Sequence, residues 1–183
     1  MDSPGGPMNV VLVGFMASGK TAIGRQVAKR LGYRLVDTDH FIETQTGRAI
    51  ADIFQQEGEP YFRGLESALT RAMATMENTV FSTGGGILTT PGNLERLKQV
   101  GLVVYLKADT ADILERLERD TRRPLVQKAL AEGNLKETVE TLLAQREPQY
   151  LQADVTVSTH GKAPFKTAGE IIQEISKRLK QGP

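Results

Sequence analysis

The sequence predicts an α/β protein, a parallel sheet of about five strands with helices on both faces. Three observations predict it. Short apolar runs alternate with longer stretches of helical period. The best of those runs, Val10–Val13 and Leu102–Leu106, are continuous rather than alternating, as in strands buried on both faces. Each run is followed by a helical stretch long enough to cross back over the sheet, and such crossovers are right-handed.

The elements follow in order. Val10–Val13 is the first strand. A helix comes next, with Ile23, Val27 and Leu31 on one face and Gly32 as its stop. Leu35–Val36 is a short second strand. Ile53 to Met76 is mostly helical and broken near Gly58 and Pro60; Phe62, Leu65, Leu69 and Met73 make its apolar stripe. Val80–Phe81 is the third strand. Thr90 is expected to cap a helix with Pro91 at its first position and Gly101 beyond its end. Leu102–Leu106 is the fourth strand, and Asp109 starts a helix carrying Ile113, Leu114 and Leu117. Residues from about 119 to 133 read as polar and irregular. Leu135, Val139, Leu142 and Leu143 mark another helix, Val155–Val157 a fifth strand, and Ile171, Ile172, Ile175 and Leu179 the closing helix.

The 183 residues suit one domain, placed at 8–183, with Met1–Pro7 read as a flexible leader. A net charge of +1 gives no global field toward nucleic acid or membrane, so any charge selectivity must be local. The absence of cysteine excludes disulfides and thiolate metal sites and suits a reducing cytoplasm. No apolar run approaches the ~20 residues of a membrane span.

Ligands of such sheets bind beyond the carboxyl ends of the strands. The first strand ends in Gly14-Phe15-Met16-Ala17-Ser18-Gly19-Lys20-Thr21, a G-x-x-x-x-G-K-T run between strand and helix. Its backbone N–H groups, with the helix N-terminus, can cradle phosphates. Lys20 can reach the β- and γ-phosphates, and the Thr21 hydroxyl suits Mg²⁺. The loop predicts nucleotide binding without naming the acceptor.

The second strand ends in Asp37-Thr38-Asp39. Asp37 can hold Mg²⁺ through water, and Asp39 can accept hydrogen bonds from a substrate hydroxyl. Asp39 also suits a helix N-cap before Phe41 and Ile42. Gly84-Gly85-Gly86 follows the third strand; three glycines make sense where a ligand approaches the backbone. Arg63 sits on a polar edge of its helix near Glu66, Arg123 precedes Pro124, and Arg146 precedes Pro148. Singly, each reads as a surface charge, and spacing alone does not bring them together. Converged, they would form a fork for a carboxylate and a cation for the γ-phosphate.

Together these motifs resemble the shikimate kinase family. The matching blocks are Gly14–Thr21, Asp37-Thr38-Asp39, Thr46-Gly47-Arg48 through Ala51–Phe54, Phe62-Arg63 with Glu66, Gly84–Gly86, Arg123-Pro124-Leu125, and Arg146 before Pro148 and Tyr150, in family order across nearly the whole chain. The resemblance implies a three-layer P-loop kinase fold, with a five-stranded parallel sheet ordered 2-3-1-4-5 and a mobile lid at about 118–131. It implies ATP-dependent phosphorylation of the 3-hydroxyl of shikimate, in the pathway to chorismate and aromatic amino acids, with Mg²⁺ as cofactor. It further implies a cytoplasmic monomer that binds ATP and shikimate but neither nucleic acid nor membrane. Carried over by position, Arg63 and Arg146 would grip the substrate carboxylate, and Glu66 would orient Arg63. Asp39 would bind ring hydroxyls, with Gly84, Gly85 and Gly86 lining the same pocket. Lys20, Asp39 and Arg123 would act in the transfer. The nucleotide would meet Gly14, Ala17, Ser18, Gly19, Lys20 and Thr21, with Arg116, Thr159 and His160 toward the adenine and Arg123 contacting both ligands from the lid. Thr21 and Asp37 would serve the metal.

Three positions depart from the family pattern. Ala17 replaces a usual glycine and is expected to be tolerated at negative φ. Gly64 stands where a larger residue is common, a local cost of up to ~1 kcal/mol. His160 lies where another polar residue is expected and reads as an exposed loop residue. Two other readings share parts of this pattern. One is a gluconate-type or other small-molecule kinase of the same fold. The other is a non-catalytic nucleotide-binding module, which loss of Lys20, Thr21 or Asp39 would have favoured.

Overall fold

The computed structural model describes residues 8–119 and 124–181. Met1–Pro7 and Arg123 lie outside the described residues. Five strands form one sheet: β1 (Asn9–Val13), β2 (Arg34–Asp37), β3 (Thr79–Ser82), β4 (Gly101–Lys107) and β5 (Val155–Ser158). Their order is β2-β3-β1-β4-β5 with every pairing parallel, as expected.

The sheet divides the core in two by the two-residue period of a strand. Val10, Leu12, Leu102, Val104 and Leu106 face helices α1 (Lys20–Leu31) and α8 (Pro164–Gln181), meeting Ile23, Val27, Ile171 and Ile175. Val11, Val13, Val103 and Tyr105 face the other way. There they meet α3 (Ile50–Met73), α4 (Asn93–Val100), α5 (Thr110–Arg119) and α7 (Leu135–Tyr150) through Ile53, Leu69, Leu97, Ile113 and Val139. Asn9, buried at the start of β1, bonds the Met76 and Val100 carbonyls and the Thr79 N–H, tying α3, α4 and β3 to the central strand.

Helix α3 breaks as the sequence predicts: Gly58 adopts φ 81°, ψ 172°, and Pro60 follows. Three expectations need correction. Residues 124–131 are not irregular but form α6 (Pro124–Ala131), with Val126 and Ala129 buried against the core. The apolar run is short and lies between the charged Glu118–Arg123 and the polar Glu132–Asn134, so the stretch as a whole looks polar. Thr90 does not cap α4, which begins at Asn93 behind Gly92 in the left-handed region. The preceding turn is a 3₁₀ helix at Ile87–Thr89, and the Thr90 carbonyl accepts from the Asn93 N–H instead. The helix after β2 is α2 (Thr38–Thr46), and its cap is Asp37, not Asp39: the Asp37 carboxylate accepts from the N–H groups of Asp39 and His40.

Among the described residues, no helix is long and apolar enough to cross a membrane.

Candidate active site

The carboxyl ends of β1, β2 and β3 open on a cavity lined by Lys20, Thr21, Asp37, Asp39, Ser82 and Gly84, among others. On the β1 side, the Lys20 ammonium is buried in the glycine loop. It donates to the Gly14 and Phe15 carbonyls at 2.8 and 2.7 Å, with Ser18 Oγ at 3.4 Å. Gly19 stands before the first residue of α1, so that helix's positive end points into the loop. Ala17 departs from expectation: its φ is +59°, in the left-handed region, so the residue carries backbone strain of roughly 1 kcal/mol that glycine would not. Its carbonyl accepts from Arg116 Nη1 at 2.8 Å. Arg116 thus reaches from α5 to the loop.

Thr21 Oγ1 donates to Asp37 Oδ2 at 2.8 Å and lies 2.9 Å from Ser82 Oγ. One hydroxyl therefore joins the ends of three elements. Ser82 was not singled out from sequence, although its place directly after the Val80–Phe81 run put it at the ligand edge. The Asp37 carboxylate has two tasks at once, capping α2 through one oxygen and meeting Thr21 through the other.

On the β2–β3 side, the three glycines are explained by what stands over them. A Cβ on Gly84 would lie 2.6 Å from Asp39 Oδ1 and 2.9 Å from Glu66 Oε1. One on Gly85 would lie 3.1 Å from the Met16 nitrogen, against the phosphate loop, and one on Gly86 would strike the Arg63 guanidinium. The Gly84 N–H donates to Thr38 Oγ1 at 3.0 Å, holding the run under α2.

The polar edge of α3 faces inward. Arg63 Nη1 donates to Glu66 Oε2 at 2.6 Å, and Nη2 to Glu59 Oε1 at 2.7 Å. The Glu66 side chain is fully buried, and its Oε1 has no hydrogen-bond partner among the described residues. Burial pushes the Glu66 carboxyl above its ordinary range against the attraction of Arg63, with the Asp39 charge adding to the rise. Burial works to lower the Arg63 guanidinium, but Glu66 and Glu59 hold it above its ordinary value.

Arg146, on α7, lies with its guanidinium 5.8 Å from the centre of the Phe15 ring, a cation–π distance. Arg63 and Arg146, distant in sequence, both act on the phenol of Tyr150 and on Glu66. The fold therefore brings these two arginines into one charge field beside Asp39. Arg123, the third expected arginine, lies outside the described residues.

At the β4–β5 side, Thr159 is buried, and its N–H and Oγ1 both bond the Lys107 carbonyl. His160 is exposed, as its sequence suggests, with Nδ1 3.2 Å from Asp109 and 3.1 Å from Asp112.

Comparison with known proteins follows the same lines. A family model described as shikimate kinase matches residues 16–179. The chain is 40% identical over 167 residues to the shikimate kinase of Persephonella marina, covering 91% of this chain and 98% of the relative. It is 41% identical over 174 residues to that of Thermodesulfovibrio yellowstonii, covering 95% and 98%. Its fold superposes on a shikimate kinase from Acinetobacter baumannii in complex with shikimate with a TM-score of 0.87, at 39% identity and 93% coverage of each chain.

Proposed function

The chain belongs to the shikimate kinase family, and we propose that the residues around its shared cavity carry out that family's reaction here. It phosphorylates shikimate at the expense of ATP, a step of aromatic amino acid synthesis. The observation that carries the site assignment is the single cavity that joins the loop residues Lys20 and Thr21 to the acceptor-side residues Asp39, Gly84 and Gly85. A phosphoryl donor and its acceptor can meet there without crossing solvent.

The finer assignments are as follows. Gly14, Ala17, Ser18 and Gly19 present backbone N–H groups to the phosphates of ATP. Lys20 leaves the Gly14 and Phe15 carbonyls for the phosphate oxygens and stays with the charge as it moves. Arg63 and Arg146 bind the shikimate carboxylate, and Glu66 keeps Arg63 aimed. Asp39 holds the acceptor hydroxyl, taken as the 3-hydroxyl, over the Gly84–Gly86 floor. The bond from the γ-phosphorus to the bridging oxygen breaks as that hydroxyl oxygen bonds to phosphorus, and the hydroxyl proton is released. Because the transition state is loose, Asp39 acts first as a positioner and needs little basicity. Arg123, on a lid over about 118–131, adds positive charge and shuts out water. Arg116, Thr159 and His160 border the adenine.

The oxygen donors Thr21 and Asp37 suit Mg²⁺, an ion usually held by few protein carboxylates together with phosphates and water. Among the described residues, no cluster of three or more metal-ligating side chains offers a closed protein cage, which fits that mode. When bound, the ion offsets charge on the β- and γ-phosphates. We also take the protein to be a cytoplasmic monomer of one domain that binds neither nucleic acid nor membrane.

The test is ADP release by the purified protein with ATP and Mg²⁺, with shikimate, with gluconate, and with neither. Release that depends on shikimate is expected. Release driven by gluconate alone, or by no acceptor, would overturn the acceptor assignment and leave the nucleotide site standing.

A further inference from the structure

We infer that Tyr150 is a positioning residue of the acceptor pocket, its phenol fixing the Gly85 carbonyl in place. The inference rests on the acceptor reading given above. Tyr150 closes α7 and is 1% exposed. Its hydroxyl donates to the Gly85 carbonyl. The Arg146 guanidinium, one turn earlier on α7, bears on the same phenol through its charge.

The ring cannot drift. It stacks on Tyr105 of β4, with centroids 5.1 Å apart and planes 26° apart. Behind it, Tyr105 Oη donates to Glu147 Oε1 at 3.4 Å, and Glu147 pairs with Lys107 at 2.9 Å. The proton on Tyr150 is secure: burial pushes the phenol up to about 12 against the pull of Arg146. At neutral pH it is always a donor to Gly85.

A Cβ on Gly85 would lie 3.1 Å from the nitrogen of the loop residue Met16, so the floor and the loop stand close together. Tyr150 therefore sets where the acceptor floor stands relative to the phosphate loop. A phenylalanine keeps the stack but leaves the Gly85 carbonyl without this partner.

The experiment compares Tyr150→Phe with Tyr105→Phe in the full chain, reading KM for shikimate, KM for ATP, kcat and denaturant stability. Tyr150→Phe is expected to raise the shikimate KM by roughly five- to tenfold, the loss of about one hydrogen bond, with the ATP KM within about twofold. Tyr105→Phe should leave both unchanged. A Tyr150→Phe enzyme that loses stability with unchanged shikimate KM, or that raises both KM values alike, would make Tyr150 merely structural. If the variant does not fold, 3-fluorotyrosine placed at position 150 reports instead: its fluorine resonance should move on adding shikimate and hold still on adding ATP. A resonance indifferent to shikimate would overturn the inference. A wild-type chain that does not phosphorylate shikimate would sink the acceptor reading itself. A working wild type with a normal Tyr150→Phe would sink this inference alone.

Discussion

Arg63 meets Glu66 at 2.6 Å, one turn apart on α3, with the carboxylate wholly buried and the guanidinium side chain 15% exposed. The arginine thus reaches the pocket already aimed. Removing Glu66 takes a charge-assisted hydrogen bond from Arg63 and leaves Glu59 as its carboxylate partner. Glu66→Ala is expected to cost about 2 kcal/mol of stability. It should also raise the shikimate KM more than the ATP KM. Denaturant melts and initial rates with each substrate varied check both.

The same carboxyl predicts a pH effect. Its value in the folded chain lies above its ordinary one, chiefly through burial. The folded chain therefore holds that proton more tightly than the unfolded chain does. The contribution is full below the ordinary carboxyl range and is lost as pH rises through the folded value. As pH rises above the ordinary carboxyl value of about 4, the wild type should lose stability relative to Glu66→Gln. Parallel pH-dependent melts of the two proteins give the difference, and a constant gap would contradict the assignment.

Gly86→Ala would place a methyl group where the Arg63 guanidinium now lies. The arginine must leave its position over Gly86, and with it the charge-assisted hydrogen bonds proposed to the substrate carboxylate. A rise in shikimate KM of roughly 10- to 100-fold is expected, with ATP binding retained. Titration with each ligand separately tests this.

Gly64 is exposed inside α3, and a Cβ added there meets nothing within 4 Å. Gly64→Ala should stabilise the protein by about 1 kcal/mol, a rise in Tm of roughly 2–4 °C, through helix propensity alone. Thermal melts read the gain, and turnover should not change.

Lys20→Ala removes the one loop cation whose charge can follow the phosphoryl group. Turnover should fall by roughly 10²- to 10³-fold while stability changes by no more than ~1 kcal/mol. A variant with near-normal turnover would show that the phosphate role belongs elsewhere.

Much of this was legible in the chain. Continuous β-branched runs and helical stripes carried the sheet and most helices, because long periodic segments state their burial directly. Helix α6 escaped because its eight residues are too few to show a helical period and sit between charged and polar flanks. The phosphate loop was readable because its residues are fixed by local spacing. The meeting of Arg63 and Arg146 was not, since two arginines on different helices share a pocket only once the helices pack. The left-handed Ala17 was hidden for a similar reason: surrounding contacts hold a conformation that its own side chain disfavours. Tyr150 marked a motif without a task, because its Gly85 partner comes from tertiary structure.

The glycines at 84 and 86 also impose an order on change. Asp39 occupies the space a side chain on Gly84 would need, and Arg63 the space above Gly86. A larger residue at either glycine is eased once the charged neighbour has gone, although at Gly84 the Glu66 carboxylate still stands 2.9 Å from an added Cβ. The two substitutions in each pair are therefore epistatic. A lineage can abandon this acceptor by losing the aspartate or arginine first and then filling the hollow. It cannot begin from the floor, and once the floor is filled, restoring the charge alone does not reverse the step.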